Sequence, residues 1–207
     1  MKQLLDYWVR EGIIKNSEVL EAFKSIDRVL FVPDRLREEA YLDVPLPIPE
    51  GQTISQPTTV AIMTESLMLG KGMKILEVGA GTGYQAAIIG KIIGPKGRVL
   101  TIEYDSELAR LARENLSKTP VSNVEVIVGD GGLGFPQEAP YDRIILTCAA
   151  ADFPPPLLDQ LKPNGIILAP LGSKFQQWLI RGIKGKSGIV RENLGGFLFV
   201  PLRGRYG

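Results

Sequence analysis

Residues 1–70 carry apolar side chains at the spacing of amphipathic helices. Two short helices are expected at the start of the chain, and Asn16 is placed to cap the second one. A further helix is expected from about residue 57 to residue 69, where Val60, Met63 and Leu67 lie on one face. The apolar positions of the first helix are Leu4, Leu5, Trp8 and Val9.

A proline-rich segment precedes that third helix. Pro45, Pro47 and Pro49 alternate with apolar residues, and each proline fixes its own φ at about −65° and disfavours helix in the residue before it. The segment is therefore expected to be an extended, ordered connector.

From Lys71 onward, short apolar runs alternate with amphipathic stretches, which is the pattern of βαβ units in a parallel sheet. Connections shorten after Gly172, so the sheet is expected to finish with an antiparallel edge. The sequence thus predicts an α/β fold with a doubly wound, mostly parallel sheet of seven strands. Strands are expected at about 74–78, 98–103, 124–128, 141–147, 165–170, 176–184 and 197–201, and helices at about 83–93, 106–118 and 156–161.

Composition narrows the function classes. The 207 residues suit one domain, made of a helical segment (1–70) and a sheet (71–207). A net charge of +1 disfavours a nucleic-acid partner, and the chain lacks the run of about 20 apolar residues that spans a membrane. One cysteine and no histidine disfavour a metal centre and exclude a histidine base. We expect a cytoplasmic monomer.

A glycine-rich turn joins the first predicted strand of the sheet to the following helix. The strand ends in Glu77-Val78, and the turn reads Gly79-Ala80-Gly81-Thr82-Gly83. Glycines permit close approach of a ligand to the backbone. Alternatively, they could be needed only because the turn requires backbone angles that other residues disfavour. In a dinucleotide fingerprint the third glycine would stand at Tyr84. The spacing instead resembles motif I of S-adenosylmethionine-dependent methyltransferases.

Two acidic residues follow the next two strands. Glu103 is placed to accept hydrogen bonds from ribose hydroxyls, since Asp105 can cap the next helix in its stead. Asp130, followed by Gly131, could accept from an adenine amino group. A helix cap for Glu103 and an Asx turn for Asp130 are the structural alternatives.

The chain lacks the motifs that are typical of methyltransferases acting on adenine N6 or cytosine C5. The fourth strand of the sheet leads into Thr147-Cys148-Ala149-Ala150, without the Asn/Asp-Pro-Pro-aromatic run of adenine N6 enzymes or the Pro-Cys of cytosine C5 enzymes. Cys148 is expected to be a buried, inert thiol. An acceptor that is already anionic needs no base, and a carboxylate meets that requirement.

Three stretches of the N-terminal part closely resemble the signature of protein-L-isoaspartate O-methyltransferases. They are Asp43-Val44-Pro45-Leu46-Pro47-Ile48, Gly51-Gln52-Thr53-Ile54-Ser55-Gln56-Pro57 and Val60-Ala61-Ile62-Met63-Thr64-Glu65. The resemblance continues through Gly129-Asp130-Gly131 to Phe199-Val200-Pro201-Leu202. It implies a Rossmann-like fold and methyl transfer from S-adenosyl-L-methionine to the α-carboxylate of isoaspartyl residues in damaged proteins and peptides. The ester then collapses to a succinimide, and S-adenosyl-L-homocysteine is the second product.

Ser55 matches the active-site serine of that family. Its hydroxyl is placed to orient a carboxylate, although it could instead cap the helix that begins near Pro57. The residues expected to bind the cofactor are Thr53, Ile54, Ser55, Glu77, Gly79, Gly81, Gly83, Glu103, Asp130 and Gly131. Those expected to bind the substrate, in a groove formed by about 43–57 and 200–205, are Ser55, Thr58, Val200 and Arg203.

Two of these expectations have explicit alternatives. Thr58 stands where relatives often carry a larger His or Tyr, and Arg203 and Arg205 could be solvated surface charges. Two other functions also remain open: a module that binds the cofactor without catalysis, and a methyltransferase that acts on a small free carboxylic acid.

Overall fold

The computed structural model describes all residues, 1–207, as six helices and nine strands joined by short 3₁₀ turns. In chain order the elements are α1 (Lys2–Arg10), α2 (Ser17–Ser25), β1 (Leu46–Pro47), β2 (Thr53–Ile54), α3 (Pro57–Ser66), β3 (Lys74–Val78), α4 (Tyr84–Ile93), β4 (Arg98–Glu103), α5 (Ser106–Leu116), β5 (Val124–Val128), β6 (Tyr141–Leu146), α6 (Pro155–Asp159), β7 (Leu161–Gly172), β8 (Gln177–Gly185) and β9 (Gly188–Phe197).

Seven strands form the main sheet, in the order β5-β4-β3-β6-β7-β8-β9. The pairs from β5 to β7 are parallel, whereas β7-β8 and β8-β9 are antiparallel. The predicted fold class is therefore confirmed, including its antiparallel C-terminal edge. Strand order reverses at β3, which has β4 on one side and β6 on the other, and a crevice opens beyond the carboxyl ends of strands at such a switch.

Apolar side chains fill both faces of the sheet. The larger cluster joins the N-terminal helices to α4 and the sheet, and it includes Trp8, Phe23 and Ile88, all at most 1% exposed. The smaller cluster lies on the other face, around Leu76 and Tyr141. α4 is buried on almost every side, and its sequence is accordingly apolar along almost its whole length. No helix has the length and apolar character that a membrane span requires.

Local signals account for several element boundaries. The side chain of Asn16 accepts a hydrogen bond from the Glu18 N–H, as the predicted cap requires. Asp105 likewise caps α5 by accepting from the N–H groups of Glu107 and Leu108. Residues 43–57 are extended except for a short 3₁₀ turn at Pro49–Gly51. The strands on either side of this turn, β1 and β2, pair with each other.

The predicted strand at 197–201 is wrong. The last strand is β9, and the segment after it makes only an isolated bridge, between Pro201 and Ala149. β9 covers Gly188–Phe197. It was not predicted because its central residues are polar and exposed, as they can be in an edge strand. Within the apolar run that follows β9, Val200 and Leu202 are instead hydrogen-bonded to Ala149, which lies beyond the end of β6. α3 ends earlier than predicted, at Ser66.

Candidate active site

A cleft of about 860 Å³ opens at the strand-order switch, between the ends of β3, β4 and β6. Its walls come from the glycine turn, from the segment that leads into α3 and from a segment near the C-terminus. Nine of the residues predicted for the site line this cleft: Thr53, Ile54, Ser55, Gly79, Gly81, Glu103, Gly131, Val200 and Arg203. The other four, Glu77, Gly83, Asp130 and Thr58, lie outside its lining.

The glycine turn brings bare backbone to the cleft. Gly79 has a φ of 95°, and a Cβ there would lie 2.5 Å from Thr147 Oγ1, so a side chain is excluded on two counts. The Thr147 hydroxyl donates to Gly79 O at 2.5 Å. Gly83 has a different role: it precedes α4, and its missing side chain leaves room for Leu116 of α5.

Two backbone groups fix the Glu103 carboxylate. The Gly81 N–H donates to Oε2 at 2.8 Å, and the Asp105 N–H donates to Oε1 at 3.1 Å. Glu103 is only 7% exposed and still lines the cleft. Since Asp105 caps α5, Glu103 keeps acceptor capacity for a ligand at the end of β4.

Glu77 lies beneath the turn instead of in the cleft. Its side chain is fully buried, and neither carboxyl oxygen has a hydrogen-bond partner. Burial raises the pKa of Glu77 to about 8; the neighbouring Thr101 hydroxyl opposes this rise, and the charge of Glu103 adds to it. At pH 7 the carboxyl group of Glu77 is therefore mostly protonated and neutral. Burial also raises the pKa of the Cys148 thiol, to about 12, which suits the inert role predicted for it.

The Asp130 carboxylate is engaged by the protein itself. One oxygen accepts from the Gly132 N–H at 3.0 Å, which is the Asx turn foreseen as its structural alternative. The other accepts from the Arg205 N–H at 2.8 Å, so Asp130 anchors the C-terminal residues. Its neighbour Gly131 does line the cleft.

Thr58 is buried behind the site. Its hydroxyl donates to Asp43 Oδ2 at 2.7 Å and accepts from the Trp8 indole N–H at 2.8 Å. Its backbone N–H also donates to Asp43, at 2.9 Å. Thr58 thus ties α1 and the proline-rich segment to the start of α3, and its polar groups point away from the cleft.

A smaller pocket of about 360 Å³ adjoins the cleft. Ser55, Thr53, Thr147 and Val200 line both spaces. The predicted alternative for Ser55, a helix cap, is absent: the residue before α3 is Gln56, and no side chain caps that helix from this position. The remaining walls of the smaller pocket are Pro45, Gln56, Thr59, Leu198 and Phe199.

Of the two C-terminal arginines, only Arg203 reaches the cleft. Its guanidinium lies 4.8 Å from the centroid of the Tyr104 ring and 3.7 Å from Asp105 Oδ2. Stacking of this kind holds the charged group against the rim beyond β4. The side chain of Arg205 instead lies over the ring of Tyr206.

Sequence comparison agrees with this geometry. The profile of the family described as Protein-L-isoaspartate(D-aspartate) O-methyltransferase (PCMT) matches residues 1–207. The chain belongs to this family. Among similar members, protein-L-isoaspartate O-methyltransferase 2 of Archaeoglobus fulgidus is 52% identical over 96% of this chain and 91% of its own length. The Pyrococcus abyssi enzyme is 48% identical over 100% of this chain and 95% of its own length.

Solved structures of the same family superpose closely. One protein-L-isoaspartate O-methyltransferase gives a TM-score of 0.90 at 30% identity and covers 100% of this chain and 67% of that one. A Plasmodium falciparum beta-aspartate methyltransferase in complex with S-adenosyl-L-homocysteine gives a TM-score of 0.86 at 25% identity, over 98% and 97% of the two chains. The family resemblance seen in the sequence is confirmed.

Sequence reasoning missed several residues that line the cleft. Tyr104 follows Glu103, and Thr147 follows β6 at the switch point, so their positions at strand ends were the available signal. Tyr84, which occupies the place of a third dinucleotide-type glycine, also contributes to the wall although it is 2% exposed.

Replacing the buried acid beneath the turn tests its protonation state. Between about pH 4.3, where an unfolded glutamate titrates, and pH 8, folded Glu77 holds more protons than unfolded Glu77. This group therefore lowers the free energy of unfolding as pH rises, by at most about 1.4 kcal/mol per pH unit. Glu77→Gln removes that contribution, so its stability relative to the wild type should increase with pH.

Urea unfolding of both proteins from about pH 5 to 8 measures the difference, in which the other titrating groups cancel. A difference that stays constant with pH would show that Glu77 is ionised throughout.

Proposed function

We propose that this chain transfers a methyl group from S-adenosyl-L-methionine to the α-carboxylate of L-isoaspartyl residues in damaged proteins and peptides. The resulting ester collapses to a succinimide, which starts repair. The observation that carries this proposal is the pair of adjoining spaces: a large cleft floored by a glycine turn and a smaller polar pocket, with Ser55 and Val200 lining both. A ligand bound in the cleft and a ligand bound in the smaller pocket would therefore lie side by side and could react directly.

The cleft fits S-adenosyl-L-methionine, which supplies an electrophilic methyl group when bound. Gly79 and Gly81 both line the cleft, where the lack of a side chain lets a ligand approach the backbone closely. The Glu103 carboxylate, fixed by two N–H groups, would accept hydrogen bonds from ribose hydroxyls. Thr53, Ile54 and Gly131 would complete the enclosure.

Asp130 has a less direct part in this proposal than the sequence suggested. Both of its oxygens already accept a backbone hydrogen bond, from Gly132 and Arg205. A carboxylate has further lone pairs, so an adenine amino group could be added to these bonds. Thr58 would act from behind the binding surface, by holding the start of α3 in place, and Glu77 is buried in β3 outside the cleft.

Ser55 would orient the acceptor. It lies two residues before α3, in the wall shared by the cleft and the smaller pocket, and its hydroxyl can donate to a carboxylate. An isoaspartyl carboxylate is anionic above a pKa of about 3.3–4, so the transfer requires no base. What this chain contributes to the rate is position, and well-oriented groups gain up to about 7–11 kcal/mol.

The polar pocket also supports a polypeptide acceptor. Its rim is formed by two extended segments, around Pro45 and around Leu198, between which a peptide backbone could lie. The net charge of +1 suits an acceptor other than nucleic acid. We expect the enzyme to act as a cytoplasmic monomer.

Methyl incorporation into matched peptides tests the proposed acceptor. A peptide that contains one isoaspartyl residue should be methylated, whereas its twin with ordinary aspartate should stay near background. Methylation of both peptides, or of small free carboxylic acids alone, would overturn the assignment. Binding of S-adenosyl-L-homocysteine without any methyl transfer would instead indicate a module that only binds the cofactor.

Ser55→Ala separates a role in orienting the acceptor from a structural one. The loss of the hydroxyl should lower turnover of the isoaspartyl peptide while changing cofactor affinity little. Steady-state kinetics together with a melting-temperature titration measure the two effects. Equal losses in turnover and in cofactor affinity would support a structural role.

Glu103→Ala tests the cofactor site independently of any acceptor. Ligand binding to the folded state raises the melting temperature, so titration with S-adenosyl-L-homocysteine reports affinity. The loss of one charged hydrogen-bonding contact costs about 1.5–3 kcal/mol, which corresponds to a roughly 10- to 150-fold weaker affinity. An unchanged affinity would remove Glu103 from the site.

A further inference from the structure

The segment Leu198–Arg203, here called the C-terminal strap, borders both ligand spaces. Leu198 and Phe199 line the smaller pocket, Val200 lines both spaces, and Arg203 lines the large cleft. The strap follows β9 and belongs to no regular strand, so its position depends on individual hydrogen bonds.

The middle of the strap is held by backbone groups. The Ala149 N–H donates to Val200 O at 2.8 Å, and the Leu202 N–H donates to Ala149 O at 2.7 Å. Beyond the strap, the Arg205 N–H donates to Asp130 at 2.8 Å. These bonds secure the half of the strap that faces the large cleft.

The beginning of the strap follows the β8–β9 pairing at Phe197, packs Phe199 against the larger apolar cluster and makes its hydrogen bonds with one side chain. The Phe199 N–H donates to Gln177 Oε1 at 2.7 Å, and Gln177 Nε2 donates to Phe199 O at 3.2 Å. Gln177 opens β8 and is 4% exposed, whereas Phe199 is half-buried, so both bonds are partly shielded from water. The Gln177 carboxamide therefore binds both the N–H and the C=O of Phe199. A neighbouring strand would make the same two kinds of bond, but β9 ends at Phe197.

We propose that Gln177 is a positioning residue for the methyl acceptor, a role that rests on the proposed function. It lines neither ligand space and acts through Phe199, which it holds beside the acceptor pocket next to Val200. The cofactor side of the strap keeps its own anchors at Ala149 and Asp130. Loss of the Gln177 carboxamide should therefore weaken acceptor binding more than cofactor binding.

The chain offers a matched control in Gln160. This residue is 7% exposed and holds another backbone segment through the same two kinds of bond. The Phe135 N–H donates to Gln160 Oε1 at 2.8 Å, and Gln160 Nε2 donates to Leu133 O at 2.9 Å. Gln160→Leu therefore removes an equivalent buried amide without touching the strap.

Kinetics with an isoaspartyl peptide compare Gln177→Leu with Gln160→Leu. Gln177→Leu leaves the partly buried N–H and C=O of Phe199 without their partner and should raise the acceptor KM by roughly 10-fold or more, with kcat and affinity for S-adenosyl-L-homocysteine changed less than about 3-fold. Gln160→Leu should lower the melting temperature by a similar amount and leave the acceptor KM unchanged. An unchanged KM in Gln177→Leu, or an equal rise in both variants, would overturn the proposal.

A double-mutant cycle tests whether Gln177 acts through the strap. Val200→Ala and Gln177→Leu should be non-additive in the acceptor KM, whereas Val200→Ala and Gln160→Leu should be additive. Additivity in the first pair would contradict the proposed route. If the wild-type protein does not methylate the isoaspartyl peptide at all, it is the proposed function that fails, so the two failures are distinguishable.

Discussion

The pairing of β3 with β4 on one side and β6 on the other determines where the chemistry can occur. At the end of β3 the Gly79 N–H donates to Ile102 O at 2.8 Å, while the Thr147 N–H donates to Val78 O at 3.0 Å. The glycine turn is thus tethered to both neighbouring strands. Because the strand ends converge here, Glu103 and Thr147 meet the turn although they are distant in sequence.

The smaller pocket exists because two further segments lie beside the point where the strand order reverses. The segment before α3 brings Ser55, and the C-terminal strap brings Val200, so residues from opposite ends of the chain form the shared wall. Neither segment is a long regular element. Side-chain hydrogen bonds help to hold both: Asp43 binds Thr58 at the start of α3, and Gln177 binds Phe199 in the strap, whose middle is held by the backbone of Ala149.

The sequence predicted the parallel core well because its strands are nearly continuous apolar runs. The observed bounds of β3, β4 and β5 agree with the predicted ones. β9 was missed because an exposed edge strand needs no apolar pattern, and the apolar strap was mistaken for it.

Site residues were predictable where the local motif determines their position. The glycine turn and Glu103 lie where strand-turn-helix geometry requires. The long-range contacts of Asp130 and Thr58 could not be foreseen, because their partners Arg205 and Trp8 are 75 and 50 residues away in sequence. The functional roles of Ser55, Val200 and Arg203 stay predictions.

The proposed function requires this arrangement to select one kind of carboxylate by position. The most direct test is a peptide that carries one isoaspartyl residue together with ordinary aspartate, glutamate and a free C-terminal carboxylate. After reaction with S-adenosyl-L-methionine, tandem mass spectrometry locates the added methyl group. The account predicts the methyl ester at the isoaspartyl residue alone, followed by its conversion to succinimide. Methylation distributed over the other carboxylates, or found on nitrogen or hydroxyl groups, would contradict it.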